Sequence, residues 1–162
     1  MFESFEEKEN ENSCQSTRES VNIMLVEELG KRANKGMQSI IDVISKISRG
    51  EFSTTLTVLL EKYSKFITGI SSAAEKLGVT LKDIGTLGRL SSKIGLELNT
   101  LTDSSQAHIA QLLVEDLTED MTETVRILRE CENTACSESV LHLAREVIEF
   151  QEDAIFQVKR FL

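Results

Sequence analysis

Four glutamates are the residues of this chain whose type and spacing could hold metal ions. When the sequence is shifted by 88 positions, Glu27 falls on Glu115 and Glu61 falls on Glu149. Carboxylate-bridged two-metal centres in helical bundles use one Glu from each of two helices and a Glu-x-x-His pair from each of the other two. The repeated glutamates therefore raise the hypothesis of a two-metal site.

The positions that follow two of these glutamates argue against such a site. Ser64 and Glu152 stand three residues after Glu61 and Glu149, where the motif requires histidine, and a serine hydroxyl does not replace imidazole as an iron ligand. Glu27 and Glu61 would also differ in height along their helices by about 18 Å. We therefore predict no metal, no cofactor and no catalytic residue. The candidate ligands for such a two-metal site are Glu27, Glu61, Glu115, Glu149 and Glu152.

Two further groups of acidic side chains could meet a cation. His142, Glu146 and Glu149 are spaced i, i+4, i+7, and Glu123 could approach them from the preceding helix. This spacing also describes an ordinary solvated helix face, and we predict a surface position for it. The acidic segment 114–123 leaves open weak binding of a hard divalent ion, because such ions accept carboxylate ligands alone.

Composition predicts an acidic, helical protein of the cytoplasm. The formal net charge of −9 argues against nucleic acid as the main partner. The 162 residues include no proline, which indicates long helices joined by short turns. We find no apolar run of membrane-spanning length and no signal peptide, and the odd number of cysteines, three, is typical of a reducing compartment.

Apolar residues recur at helical spacing in four stretches of the chain. They predict helices at 21–48, 53–77, 104–131 and 138–161, with a helical crossover within 80–101. Residues 1–20 are acidic and lack a sustained period, so we predict a disordered tail there, followed by a domain at 21–162. The predicted core includes Leu29, Met37, Leu59, Phe66, Leu117, Val147 and Ile155.

The same 88-residue shift superimposes apolar residues along most of this domain. It therefore predicts two similar helical hairpins joined by a long crossover, which is the ferritin-like connection of a four-helix bundle. Residues 31–93 carry eleven Lys and Arg against five acidic residues, whereas residues 94–162 carry fourteen acidic residues against five basic ones. This asymmetry fits either solvated helix faces or charge-complementary packing, within the chain or in an antiparallel dimer.

Three stretches of sequence carry a resemblance to a known family. They are AEKLG at 74–78, KIGLELNTLTD at 93–103 and VEDLTED at 114–120. With them, residues 21–162 resemble the small bacterial ferritin-like four-helix bundles, relatives of rubrerythrin, that form a domain family of unknown function. That family often has a tryptophan in the crossover, near the place of Ile94, and this chain has none. The resemblance implies the fold, and implies that an intact di-iron motif is absent.

Three functions are compatible with these features. The first is a non-enzymatic bundle that acts by contact with another protein or with itself, with a dimer as one form. The alternative is a carboxylate-bridged, ferritin- or rubrerythrin-type enzyme of oxidative stress or metal handling. A third, a protein of lipid surfaces or envelope stress, has the least support, because no predicted helix pairs a strongly basic face with an aromatic one.

Overall fold

A computed structural model describes the backbone of residues 3–81 and 93–162, and the side chains of residues 15–81 and 94–162. Within these ranges all regular secondary structure is helical, which confirms the predicted all-α class. None of the described helices is long and apolar enough to cross a membrane. The helices are α1 (Glu3–Ile44), α2 (Glu51–Lys76), α3 (Lys93–Thr100), α4 (Gln106–Glu132) and α5 (Glu138–Lys159).

The ends of α2 and α4 follow from local sequence signals. Gly78 closes α2 in the left-handed region, at φ 73°, which glycine adopts without a steric penalty. Ser105 caps α4, because its hydroxyl accepts a hydrogen bond from the backbone N–H of His108. The short α3 falls inside the predicted crossover, and the rest of that prediction, at 82–92, lies outside the described residues.

The first helix begins earlier than the sequence predicts. The structure continues α1 back to Glu3 through the segment for which we predict a disordered tail. Neither proline nor glycine occurs before Gly30, so nothing in the backbone stops a helix from extending in that direction. The described side chains at 15–20 are all exposed. That the rest of the chain folds without residues 1–20 stays a prediction.

Contacts between α1 and α4 show that these two helices run in opposite directions. Arg32 contacts Asp120, whereas Ser39, later in α1, contacts Asp116, earlier in α4. Short connections also make α1 antiparallel to α2 and α4 antiparallel to α5, as in two helical hairpins. The α1–α4 contact therefore joins the two hairpins side by side.

The second contact between the hairpins is also antiparallel. Glu51 at the start of α2 pairs with Arg160, just beyond α5, and Lys62 pairs with Asp153. Because α1 is antiparallel to both α2 and α4, α2 and α4 run in the same direction. The end of α2 and the start of α4 therefore lie at opposite ends of the bundle, and α3, which comes between them in the chain, packs against α1 and α4.

The core is formed by the apolar faces of all the described helices. Five of the seven core residues that we predict are buried, and Met37 and Phe66 are partly buried and pack against the same core. Phe66 stacks on Phe150 at a ring distance of 4.8 Å, and Tyr63 meets Phe150 edge-on at 4.6 Å. These rings fill the space between α2 and α5.

Gly36 allows Tyr63 to enter the core, and we expect Gly36→Ala to be destabilising. A Cβ at this position would lie 2.5 Å from the Tyr63 hydroxyl oxygen and 2.8 Å from Cζ. The Tyr63 ring is buried and fixed by Phe150, so overpacking should cost about 1–3 kcal/mol of unfolding free energy.

Gly69 provides the matched control, because a Cβ there would have no neighbour within 4 Å. Gly69→Ala should gain about 0.5–1 kcal/mol from helix propensity alone. Urea denaturation of both variants measures the difference. Equal effects of the two substitutions would contradict the close contact between Gly36 and Tyr63.

Candidate functional site

The structure places the five glutamates that sequence reasoning selected as metal ligands on the surface. Each of them is exposed, and in the described part of the chain no three His, Cys, Asp or Glu side chains come close enough to hold an ion. His142 and Glu146 are also exposed, with 3.8 Å between the imidazole Nε2 and a carboxylate oxygen. The surface position predicted for the His142 group agrees with this. The exposed glutamates are Glu27, Glu61, Glu115, Glu149 and Glu152.

The cysteines of the α4–α5 turn are buried thiols. Cys131 and Cys136 are free, and burial raises the pKa of both. The Cys136 thiol is hydrogen-bonded to the side-chain oxygen of Asn22, which also accepts from the backbone N–H of Ser137. A buried thiol with a raised pKa is a poor nucleophile. The bonds of Cys136 and Ser137 to Asn22 instead tie the turn to α1.

Instead, two partly exposed cations on α1 meet two buried carboxylates on α4. Asp116 and Asp120 lie one helical turn apart, and both are buried. The Lys35 ammonium lies 3.7 Å from an Asp116 oxygen and 3.6 Å from an Asp120 oxygen, and the Arg32 guanidinium lies 3.4 Å from Asp120. The two cations balance the two carboxylates, and we call these four residues the ionic centre.

Helices α2 and α5 complete the surroundings of the ionic centre. Ser39 on α1 donates a 2.6 Å hydrogen bond to Asp116, and the Gln151 amide on α5 donates to Asp120 at 3.4 Å. Tyr63 on α2 is buried, and its hydroxyl has no hydrogen-bond partner among the described residues. All four long helices therefore contribute polar side chains to one interior position.

Burial raises the pKa of two acidic groups in this position, Asp120 and Tyr63. It raises the pKa of Asp120 to about 6, although Lys35 and Arg32 act in the opposite direction. The pKa of Tyr63 is also raised, first by burial and then by the negative charges of Asp120 and Asp116. Tyr63 is therefore a neutral phenol at physiological pH, whereas Asp120 titrates near pH 6.

The 88-residue repeat connects the residues of this site. Arg32 and Asp120 are separated by that number of positions, and the same shift superimposes Tyr63 on Gln151. The repeat thus brings equivalent positions of the two hairpins together at the centre. The sequence signal that could have found the site is the superposition of polar residues under the shift. Arg32 and Asp120 stand five positions after the glutamates selected on α1 and α4, and Tyr63 and Gln151 stand two positions after those on α2 and α5.

The donor set of the ionic centre does not fit a resident divalent metal. An ion bridging Asp116 and Asp120 would need the position that the Lys35 ammonium occupies, within 4 Å of both carboxylates. A cavity of about 70 Å³ adjoins Asp116, lined by Glu97, Glu115 and Glu119 as well. It has room for a few water molecules and not for an organic substrate.

We expect Asp120→Asn to alter the pH dependence of stability. The folded chain holds a proton on Asp120 up to a pKa of about 6, against an ordinary value of 3.8. Stabilisation from this proton is complete below about pH 4 and is lost as pH rises through about 6. At most about 3 kcal/mol of unfolding free energy should disappear over that window in the parent chain.

Urea denaturation between acidic and neutral pH measures this effect as the difference between parent and variant. Asp153→Asn is the control, because the Asp153 side chain is 44% exposed and pairs with Lys62 at the surface. If the difference in unfolding free energy between the parent and Asp120→Asn did not change with pH, the raised pKa assigned to Asp120 would be wrong.

Comparisons with known proteins find no match for this chain. The chain matches no protein-family model, and neither a curated protein nor a solved structure is similar to it. Its class therefore rests on its own residues: an all-helical protein with a charge-balanced polar centre.

Proposed function

We propose that this chain is a non-enzymatic, ferritin-like four-helix-bundle protein that acts through protein–protein contacts. The observation that carries the proposal is the ionic centre, in which Lys35 and Arg32 neutralise Asp116 and Asp120. Side chains supply the positive charge that metal ions supply in carboxylate-bridged bundles. In this proposal the charged interior stabilises the fold, and the surface of the bundle binds the partner protein.

The path of the chain supports the ferritin-like part of the proposal. Two antiparallel hairpins lie side by side, and one long connection carries α2 to the start of α4. Ferritin-like bundles have one such crossover, whereas simple up-and-down bundles have only short loops. The meeting of Arg32 with its repeat mate Asp120 also supports an origin from two related hairpins.

Charge and cysteine chemistry support the remaining features. A net charge of −9 favours protein partners, including a second copy of the chain, over nucleic acid. Cys131 and Cys136 are free, buried thiols, as expected in the reducing cytoplasm. These features support the proposal of a cytoplasmic protein whose partners are proteins and not nucleic acid.

Elemental analysis after purification without chelator tests this function against the two-metal enzyme. We expect substoichiometric iron, manganese and zinc in the parent chain. Two variants locate any metal that is found: Glu61→Ala with Glu149→Ala on the surface, and Asp116→Asn with Asp120→Asn in the ionic centre. One or more equivalents of iron or manganese in the parent, lost in either variant, would overturn the proposal and favour a carboxylate-bridged oxidative-stress or metal-handling enzyme.

A further inference from the structure

The outer face of the α4–α5 hairpin carries the most exposed large apolar side chain described. Phe156 is 70% exposed and lies in the last turn of α5, which ends at Lys159. It borders a groove of about 250 Å³ whose other apolar walls are Met121 and Ile155. The Phe156 ring therefore projects next to an apolar groove that could accept an aromatic side chain, as a knob packs into a hole between helices.

The charges on the rim of this groove are arranged symmetrically around Phe156. Glu152 and Lys159 both line the groove, and both are exposed. Neither has an ion-pair partner among the described residues. The midpoint between Glu152 and Lys159 falls between Ile155 and Phe156. At a rise of 1.5 Å per residue, the two charges stand about 5 Å to either side of that point.

This arrangement is complementary to itself. If a second α5 crosses the first in the antiparallel direction, with a two-fold axis between Ile155 and Phe156, each Glu152 faces the partner copy's Lys159. The same operation brings each Phe156 to the groove beside the other. Isologous dimers require this property, because one patch must serve as both partners.

We propose that a second copy of this chain occupies the groove, in a two-fold dimer centred on Phe156 of α5. This inference rests on the proposed function, of which it specifies the partner and the surface. A different partner would need an acidic and a basic group placed to match Lys159 and Glu152, whereas a second copy has them by symmetry. Each chain also carries a net charge of −9, so the pairing must overcome long-range repulsion.

Sedimentation equilibrium at physiological ionic strength tests the proposal on the full chain. We expect a concentration-dependent dimer for the parent and a dissociation constant raised roughly tenfold or more by Phe156→Asp. Val58→Asp is the matched control, since Val58 is an exposed apolar residue on α2, at 44%, and should leave the dimer unchanged. Circular dichroism checks that both variants keep their helices.

Charge reversal tests the two-fold geometry itself. Glu152→Lys and Lys159→Glu should each weaken the dimer several-fold, because each places like charges opposite one another across the axis. The two reversals together should restore the dimer towards the parent. A monomeric parent, a dimer indifferent to Phe156→Asp, or a double reversal no tighter than the single ones would overturn this inference. The metal analysis described above is independent of the dimer and decides the proposed function separately.

Discussion

Replacing Arg32 and Lys35 together by methionine is expected to cost about 3–5 kcal/mol of unfolding free energy at neutral pH. The substitution keeps most of the apolar stem of each side chain and removes both charges that neutralise the ionic centre. Asp116 and Asp120 would then be buried without a counter-ion, and their side chains are only 5% and 1% exposed. A buried, uncompensated carboxylate must either remain charged at a high cost or take up a proton.

Two further variants make this prediction specific to the ionic centre. Lys31→Met removes a neighbouring charge whose side chain is 67% exposed, and it should change stability by less than about 1 kcal/mol. Adding Asp116→Asn and Asp120→Asn to the double methionine variant removes the buried charges, and should restore most of the loss. Chemical denaturation measures all three. A fourfold variant no more stable than the double one would show that lost packing, and not charge, explains the effect.

The second large effect is expected from Leu59→Ala, at about 2–5 kcal/mol. Leu59 is fully buried on α2, so the truncation leaves a cavity that the packed helices cannot close completely. The preceding residue is the control: Val58 is 44% exposed, and Val58→Ala should change stability by less than about 0.5 kcal/mol. A loss below about 0.5 kcal/mol for Leu59→Ala would mean that the apolar stripe of α2 does not face the core.

The helices themselves could be predicted because their signals are local. A period of 3.6 in apolar residues and the absence of proline marked α2, α4 and α5 to within a few residues. The start of α1 could not be predicted in this way. Residues 3–20 have no apolar stripe, and yet the backbone of α1 continues through them as a helix.

The candidate site shows where a sequence pattern stops being informative. The repeat gave the correspondence between the hairpins, and Arg32 does meet Asp120. The glutamates chosen as ligands precede the central positions by five residues on α1 and α4, and by two on α2 and α5. Five residues turn a helix by roughly 140° beyond a full rotation, and two turn it by roughly 200°. The selected side chains accordingly point to solvent.

By itself, the sequence determined the helical class, the apolar faces and the pairing of two similar hairpins, since these depend on periodicity within each segment. Only the tertiary structure decided which polar residues enter the interior. Arg32 and Lys35 lie at the edge of the apolar face of α1, where helical periodicity is compatible with either an exposed or a buried side chain. They neutralise Asp116 and Asp120 because α4 packs against that edge with both carboxylates facing it. The rotation of α4 about its own axis is set by contacts between residues far apart in the chain, so residue spacing within one helix does not predict it.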